Sequence, residues 1–558
     1  MPTAIVVGAT GILGREIVLE LSKHRQQWPT VHALSRSKKE EFAETVIHHH
    51  IDLMSAPDEM ANDMRNVQGS YVFFAAYVQK DTEQENWDVN GAILSNFLQA
   101  LVKTGAISGI ERIILVTGAK QYGVHLGAPK NPMLESDPWL TDSKWPPNFY
   151  YNQQNILHSF CKEYNKEWTV TYPNDVIGYA VGNYMNLATA IALYALVSNE
   201  LDSKNEGVVF PGSPTFYTKF DCFTNSRLHG QFCAWAALEP RTANEAFNVV
   251  NGDTESWQNL WPKVANYFGT KVKPNQFKSG AGSSILKYVS GDASSTSKLA
   301  PEPPITTQAS AIGLEGTPAL EQSVVEQHID LEKWSQRRDV KDAWSRIAER
   351  EDLQEDAFEK ATWGFLGFVL GRKYDLVISM SKARKAGWTG YADTWESLEG
   401  HLDGSSTVGG RSLVVLFLVC GLNTDIHASN NGSRQESRSN EEAGSRWSWP
   451  QGCSDKAQQD QRHIVVHEDL RCASSKVFKD FLQQRRKIID GECFPCTENL
   501  DAITADVTVW DLSVVESCIH TACRPGDSGM TVQIHVQCTV KPELLTQSRS
   551  LIFHKIMW

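Results

Sequence analysis

Across the first 400 of its 558 residues the chain has only three cysteines, Cys161, Cys222 and Cys233. Three thiols over that length make no disulfide framework, so stability there has to come from a packed core. Long apolar runs are missing too. The run Leu413 to Val419 extends only through Cys420, whereas a membrane-crossing helix needs about 20 such residues. Met1-Pro2-Thr3-Ala4-Ile5-Val6-Val7 has neither the basic start nor the apolar length of a secretory leader, and reads as a buried strand. Nor is there surplus positive charge. With 53 basic against 66 acidic side chains and a net charge of −13, the chain lacks the footprint of a nucleic-acid backbone binder. These absences lead to the expectation of a cytoplasmic protein that binds no nucleic acid and inserts in no membrane.

Hydrophobic residues at 41% and charged residues at 21% exclude wholesale disorder. Strand-like apolar runs at Ala4–Val7, Val31–Leu34, Tyr71–Ala75, Ile113–Val116 and Thr169–Tyr172 alternate with helical stretches such as Gly14–Leu21 and Gly91–Lys103. That alternation marks βαβ units and predicts an α/β fold, a Rossmann-type doubly wound parallel sheet over residues 1–180. Residues 181–399 carry a helix-like segment, Tyr184–Val197, and a short strand, Ala246–Val250. A Ser/Gly/Pro-rich stretch, Ser279–Gln322, reads as a surface loop, and helical periodicity runs from Val324 to Ala383. This part is expected to be a smaller, mostly helical region covering a substrate. Residues 400–462 read as a low-complexity linker and 463–558 as an irregular tail. Eight of the 11 cysteines follow residue 400.

Gly8-Ala9-Thr10-Gly11-Ile12-Leu13-Gly14 stands between the first strand and the first helix. There Gly8 permits a tight turn, Gly11 lets the backbone approach a pyrophosphate, and Gly14 lets helix pack on strand. The helix start offers N–H groups and partial positive charge to the phosphates, so a dinucleotide is expected. An NAD site usually ends its second strand on Asp or Glu, to meet the ribose 2′-hydroxyl. Here Ser35, Arg36 and Lys38 occupy that place, which suits a 2′-phosphate and favours NADPH. Asp52 falls where such folds set an acid near the adenine. His48-His49-His50 invites a metal reading, but successive strand residues point to opposite faces, so an ordinary strand end is expected.

Short-chain dehydrogenases place the catalytic Lys four residues after the catalytic Tyr. Here Gln154 stands four after Tyr150, and Asn155 four after Tyr151. Instead Thr117-Gly118-Ala119-Lys120-Gln121-Tyr122-Gly123 precedes Pro147-Asn148-Phe149-Tyr150-Tyr151, with the Lys 30 residues before Tyr150. Further pieces are Pro173-x-x-Val176-Ile177-Gly178-Tyr179 and Tyr184-Met185-Asn186. Together with Gly8–Gly14 they resemble the progesterone 5β-reductase/iridoid synthase-like (PRISE) family of atypical short-chain reductases, in a fungal wording, over residues 3–397. The resemblance implies Tyr150 and Lys120 as the catalytic pair. It implies Gly8, Thr10, Gly11, Ile12, Arg36 and Asp52 at the cofactor, Val176 facing the nicotinamide, and Tyr184, Met185 and Asn186 at the substrate. Trp87, Phe216 and Phe220 are further lining candidates, though core packing is the more ordinary role for each. Plant members carry Arg-Pro where Tyr172-Pro173 stands, and Phe73-Phe74-Ala75-Ala76-Tyr77 also differs, so substrate identity does not transfer.

The chemistry expected is NADPH-dependent hydride addition to the β-carbon of a small hydrophobic enone or enal, in secondary metabolism. Tyr150 would stabilise the enolate oxygen, and the Lys120 ammonium would favour the anionic phenol and hold the ribose. Direct reduction of a ketone or aldehyde is the enzymatic alternative. A non-catalytic NADP-sensing regulator is another, against which the retention of both Lys120 and Tyr150 argues. The expected partner is a small carbonyl-containing substrate, and the resemblance leaves room for a homodimer. In the tail, Cys493-x2-Cys496 and Cys518-x-His520-x2-Cys523 match the opening ligands of a RING-type zinc module, but only Cys538 follows. Val466-His467-Glu468-Asp469-Leu470 with Cys472-Ala473-Ser474-Ser475 resembles a fragment of a fungal BTB domain. A degenerate or wrongly joined tail without a metal is therefore expected, with a zinc-dependent interaction module as its rival.

Overall fold

Strand β1 (Thr3–Val7) sets the plan of the molecule. In the computed structural model Ala4 and Val6 enter the core on one face of the sheet, and Ile5 and Val7 enter it on the other, as the pleat requires. All four are fully buried, so both faces are covered. The structure describes residues 2–36, 42–180, 185–278, 295–316, 323–351 and 353–403, and the backbone of three strands beyond them.

Helix α1 (Ile12–Lys23) follows β1, then β2 (Thr30–Ser35), β3 (Val46–His50), α2 (Pro57–Asp63), β4 (Tyr71–Phe74), α3 (Glu83–Lys103) and β5 (Arg112–Val116). Next come α4 (Phe149–Tyr164), β6 (Glu167–Tyr172), β7 (Val176–Ile177), α5 (Leu187–Leu201), β8 (Thr224–Asn225), α6 (Ser226–Leu238), β9 (Glu245–Asn248) and α7 (Trp257–Tyr267). Seven strands form one sheet in the order β3-β2-β1-β4-β5-β6-β9, and every pairing in it is parallel. α1 and α6 pack together over a cluster holding Trp28, Phe73 and Cys233, while α2, α3 and α4 supply residues to a second cluster with Ile5, Phe74 and Leu115. The strand order reverses between β1 and β4. Open α/β sheets bind ligands outside the carboxyl ends of their strands at such a point.

A further apolar cluster belongs to the later part of the chain, where Tyr194, Phe210, Trp257, Trp261, Trp334 and Trp344 meet. Two expectations need correction there. Helical structure does not begin at Val324: the β-branched pair Val324-Val325 opens a strand, β11 (Val324–Gln327), antiparallel to β10 (Ser295–Lys298). A helix starts only at Leu331, where Asp330 caps it by accepting from the Lys333 N–H at 3.1 Å. Likewise the helix expected from Tyr184 begins at Leu187, with Asn186 at its N-cap position.

The chain divides into two compact units, Met1–Leu422 and Asn423–Trp558. In the second, Gln533–Val540 pairs antiparallel with Val515–Ala522 and with Ile464–Val465. The register sets Cys518 opposite Gln537 and His520 opposite His535. Cys493, Cys496, Cys523 and the BTB-like segment 466–475 lie outside the described residues. Among the described residues, no helix is long and apolar enough to cross a membrane.

Candidate active site

The glycine turn is built as its spacing requires. Gly8 takes a left-handed φ of +80°, and its N–H and that of Ala9 donate to the Leu34 carbonyl at 3.0 and 3.1 Å, tying the turn to β2. A Cβ on Gly14 would stand 2.1 Å from the Gly8 carbonyl oxygen, so no larger residue lets α1 approach the strand this closely. The Gly11 N–H bonds back to Gly8 at 3.0 Å, and α1 then starts at Ile12 without a side-chain cap. Its first-turn N–H groups are therefore free to receive an anion. Thr10 lies in the turn itself, half-buried. This arrangement fits the pyrophosphate of a nicotinamide dinucleotide.

At the end of β2, Ser35 is buried and Arg36 exposed. Ser35 Oγ lies 2.8 Å from His48 Nε2, and its carbonyl accepts from the Ile51 N–H at 2.9 Å. Asp52 Oδ1 accepts from the Met54 N–H at 3.0 Å, fixing its own turn. His48 and His49 face opposite ways, His49 Nε2 meeting His32 Nδ1 at 2.9 Å while His48 reaches Ser35. Lys38 lies outside the described residues.

Three separated segments converge at the carboxyl end of β5. A Cβ on Gly118 would lie 3.2 Å from the Tyr150 hydroxyl oxygen and 3.3 Å from the Pro173 carbonyl. The Ala119 N–H donates to that same carbonyl at 2.9 Å. Glycine at 118 thus lets the phenol come down onto the strand end beside the turn that leads into Val176, which is half-buried at the start of β7. Asn148 joins the two proposed catalytic residues through one side chain. Its Oδ1 caps α4 by accepting from the Tyr150 N–H at 3.1 Å, and its Nδ2 donates to the Lys120 carbonyl at 2.8 Å.

Gln154 occupies the place that ordinary short-chain reductases give to lysine, and it is buried and neutral. Its Nε2 donates to Gln121 Oε1 at 2.8 Å and to the Tyr150 carbonyl at 3.0 Å, while its Oε1 accepts from the Tyr172 hydroxyl at 2.7 Å. Tyr151 is structural: its hydroxyl donates to the Gln121 carbonyl at 2.7 Å and accepts from the Leu140 N–H.

Lys120 departs from the expectation. Its ammonium sits in a bidentate pair with Glu83, at 2.8 and 2.9 Å, and 5.4 Å from the centre of the Phe149 ring. Tyr77 stacks on the same Phe149 ring, with centroids 5.4 Å apart. The phenol of Tyr150 accordingly titrates above the usual tyrosine range, first because it is desolvated and then because the Glu83 carboxylate opposes a second negative charge. Within this arrangement the Lys120 ammonium is directed at the Glu83 carboxylate.

Two residues here escaped the sequence reading. Glu83 opens α3, placed by a capping box in which Thr82 Oγ1 accepts from the Glu85 N–H at 3.2 Å and Glu85 Oε2 from the Thr82 N–H at 3.0 Å. The Thr82-x-x-Glu85 spacing was a legible helix start, though nothing in it announces an ion pair with Lys120. His125 follows Lys120 by five positions. Both its ring nitrogens are buried, and neither has a partner among the described residues. Burial and the nearby Lys120 ammonium hold its ring neutral, well below the usual imidazole range.

The substrate-side expectations resolve unevenly. Tyr184 lies outside the described residues, and Met185 is half-buried in the turn before α5. Both polar atoms of Asn186 are engaged by Ala180, Nδ2 donating to its carbonyl at 2.9 Å and Oδ1 accepting from its N–H at 3.4 Å. Phe216 is wholly buried in the core, Phe220 is 48% exposed, and Trp87 packs with Leu126, Leu140, Trp145 and Tyr151.

Comparison with known proteins agrees with this architecture. The chain is 40% identical to an uncharacterized Schizosaccharomyces pombe protein over 405 residues, 72% of this chain and 96% of that one. It is 30% identical to the (S)-8-oxocitronellyl enol synthase ISY1 of Nepeta racemosa, over 48% of this chain and 69% of that enzyme. With the 3-oxo-Delta(4,5)-steroid 5-beta-reductase of Arabidopsis thaliana it shares 28% over 52% of this chain and 74% of that enzyme. The family model for the PRISE-like Rossmann-fold domain matches residues 4–295, and the chain belongs to that family.

Proposed function

We propose that the chain is an NADPH-dependent reductase of the conjugated C=C bond in a small hydrophobic enone or enal. The observation that carries this reading is the Tyr150 hydroxyl, desolvated over Gly118 and beside the Pro173 turn. A phenol kept protonated there can donate a hydrogen bond to a carbonyl oxygen as negative charge grows on it. Relatives named for a steroid 5-beta-reductase and an enol synthase support the assignment.

The residues divide the work. The first-turn N–H groups of α1 hold the pyrophosphate, and Arg36, with Ser35 beside it, receives the 2′-phosphate. Val176 and the Pro173 turn flank the nicotinamide. When bound, NADPH supplies the hydride. Tyr150 binds the substrate carbonyl and stabilises the enolate oxygen, while Asn148 fixes Tyr150 and Lys120 relative to each other.

Tyr150→Phe tests this directly. The variant is expected to bind NADPH as the unaltered chain does and to lose about 10²–10³ in kcat with enones, the usual cost of removing one such donor. Unchanged turnover of the enones that the unaltered chain reduces would overturn the assignment.

A further inference from the structure

Lys120 and Glu83 form their ion pair inside the site, with side chains 24% and 30% exposed. Which bond a reductase attacks depends on what the phenol must do, and that depends on this pair. When hydride adds to an isolated carbonyl carbon, the C=O π pair ends on oxygen as an alkoxide. That strong base takes the phenolic proton outright and leaves a phenolate, which needs an unspent cation nearby. When hydride adds to the β-carbon of an enone, the C=C pair shifts toward the carbonyl and its π pair ends on oxygen as an enolate. The enolate shares its charge with the α-carbon and is far less basic. A hydrogen bond from a protonated phenol is enough, and the α-carbon later takes its proton from water.

In this site the cation is paired. Glu83 holds the Lys120 ammonium in a bidentate ion pair, the same carboxylate opposes charge on Tyr150, and burial together with the Lys120 charge holds His125 neutral. Among the described residues, the side chains that bond the Tyr150 backbone, Asn148 and Gln154, carry no charge. We propose that Glu83 is a positioning residue for selectivity: by holding Lys120 it keeps Tyr150 a hydrogen-bond donor, and so steers hydride to a conjugated C=C bond and away from an isolated C=O bond. This rests on the reductase reading above.

The test uses the full chain, with Glu83→Gln removing the carboxylate charge and Glu83→Asp retaining it. Its first readout needs no cofactor. Ring-carbon NMR of tyrosine-labelled protein, with the Tyr150 signal identified by its loss in Tyr150→Phe, follows ionisation as pH rises. Glu83→Gln is expected to ionise Tyr150 at least about one pH unit lower, and Glu83→Asp to stay near the unaltered chain. The second readout compares kcat/KM for 2-cyclohexen-1-one and for cyclohexanone. The ketone-to-enone ratio should rise about tenfold in Glu83→Gln, the same one-unit coupling expressed as a rate ratio, and Glu83→Asp should hold it. A Tyr150 signal unmoved by Glu83→Gln overturns the proposal, as does an unchanged ratio. If the unaltered chain reduces neither compound, the reductase reading fails for these probes, and the NMR titration alone decides the role of Glu83.

Discussion

The Arg372 guanidinium closes on Asp175 with Nη2 donating to Oδ1 at 3.0 Å, while its Nη1 meets the other carboxylate oxygen and stands 3.5 Å from Asp221. All three side chains are buried. Asp175 belongs to the turn between Pro173 and Val176, whose Pro173 carbonyl holds the Ala119 N–H. An arginine from the later part of the chain thus pins the backbone beside Tyr150. Burial and the Asp175 charge push the Asp221 carboxyl up, so the two acids depend on the guanidinium between them. Arg372→Met should cost about 3–5 kcal/mol, the usual penalty for orphaning buried charge, and Arg372→Met/Asp175→Asn should recover part of it. Urea midpoints near neutral pH measure both. A single variant as stable as the unaltered chain would sink the account.

The glycine turn makes a sharper contrast between fold and function. In Gly14→Ala the new methyl would meet the Gly8 carbonyl oxygen at 2.1 Å and its carbon at 2.8 Å, all backbone that cannot swing aside. That variant should lose about 1–3 kcal/mol of stability, as overpacking does, together with dinucleotide binding. In Gly11→Ala the nearest atom is 3.3 Å away, so the fold should survive. On the proposed reading its methyl would crowd the pyrophosphate, and NADPH affinity should still fall. Denaturation curves and fluorescence titration separate the two outcomes. Equal stability in both variants would contradict the packing argument.

What was legible in the sequence was local. The apolar run Ala4–Val7 and the glycine spacing after it each report a conformation fixed within a few residues, and the structure reproduces them. Tyr150 and Lys120 could be picked out because their motifs are continuous. The Lys120–Glu83 pair could not, since Glu83 comes 37 residues earlier and meets Lys120 only because β4 and β5 are neighbours in the sheet. Val324–Gln327 misread as helix because a short strand shows too little pattern, and its partner Ser295–Lys298 is polar throughout. Asn186 was offered only by the resemblance, and the backbone of Ala180 engages its side chain, while Phe216 takes the more ordinary core role expected of it.

On the proposed reading, cofactor choice turns on Arg36. Ser35 is buried with its hydroxyl near His48, which leaves Arg36 as the exposed described cation at the end of β2. A charge-assisted contact to a 2′-phosphate is worth about 1.5–3 kcal/mol. Arg36→Ala should therefore weaken NADPH roughly ten- to hundredfold and leave NADH affinity unchanged, by titration of the protein's fluorescence. An equal loss for both cofactors would place Arg36 in the fold and not in the recognition of the phosphate.

The strand that leads into the Pro173 turn also carries a pH dependence. His229 on α6 is wholly buried, its Nε2 3.0 Å from the Thr171 hydroxyl on β6, and burial lowers its pKa to about 3. An unfolded histidine titrates near 6.5. Between those values the unfolded chain binds a proton that the native chain refuses, so stability falls as pH drops. The full contribution is present above about pH 6.5 and is lost on the way down toward about pH 3, at up to about 1.4 kcal/mol per pH unit. His229→Gln keeps a polar group for Thr171 but cannot take up that proton. Urea midpoints followed from about pH 7 to about pH 4 should fall less steeply for His229→Gln than for the unaltered chain, the two curves diverging below about pH 6.5. Parallel curves across that range would show that His229 is not the group whose proton is refused.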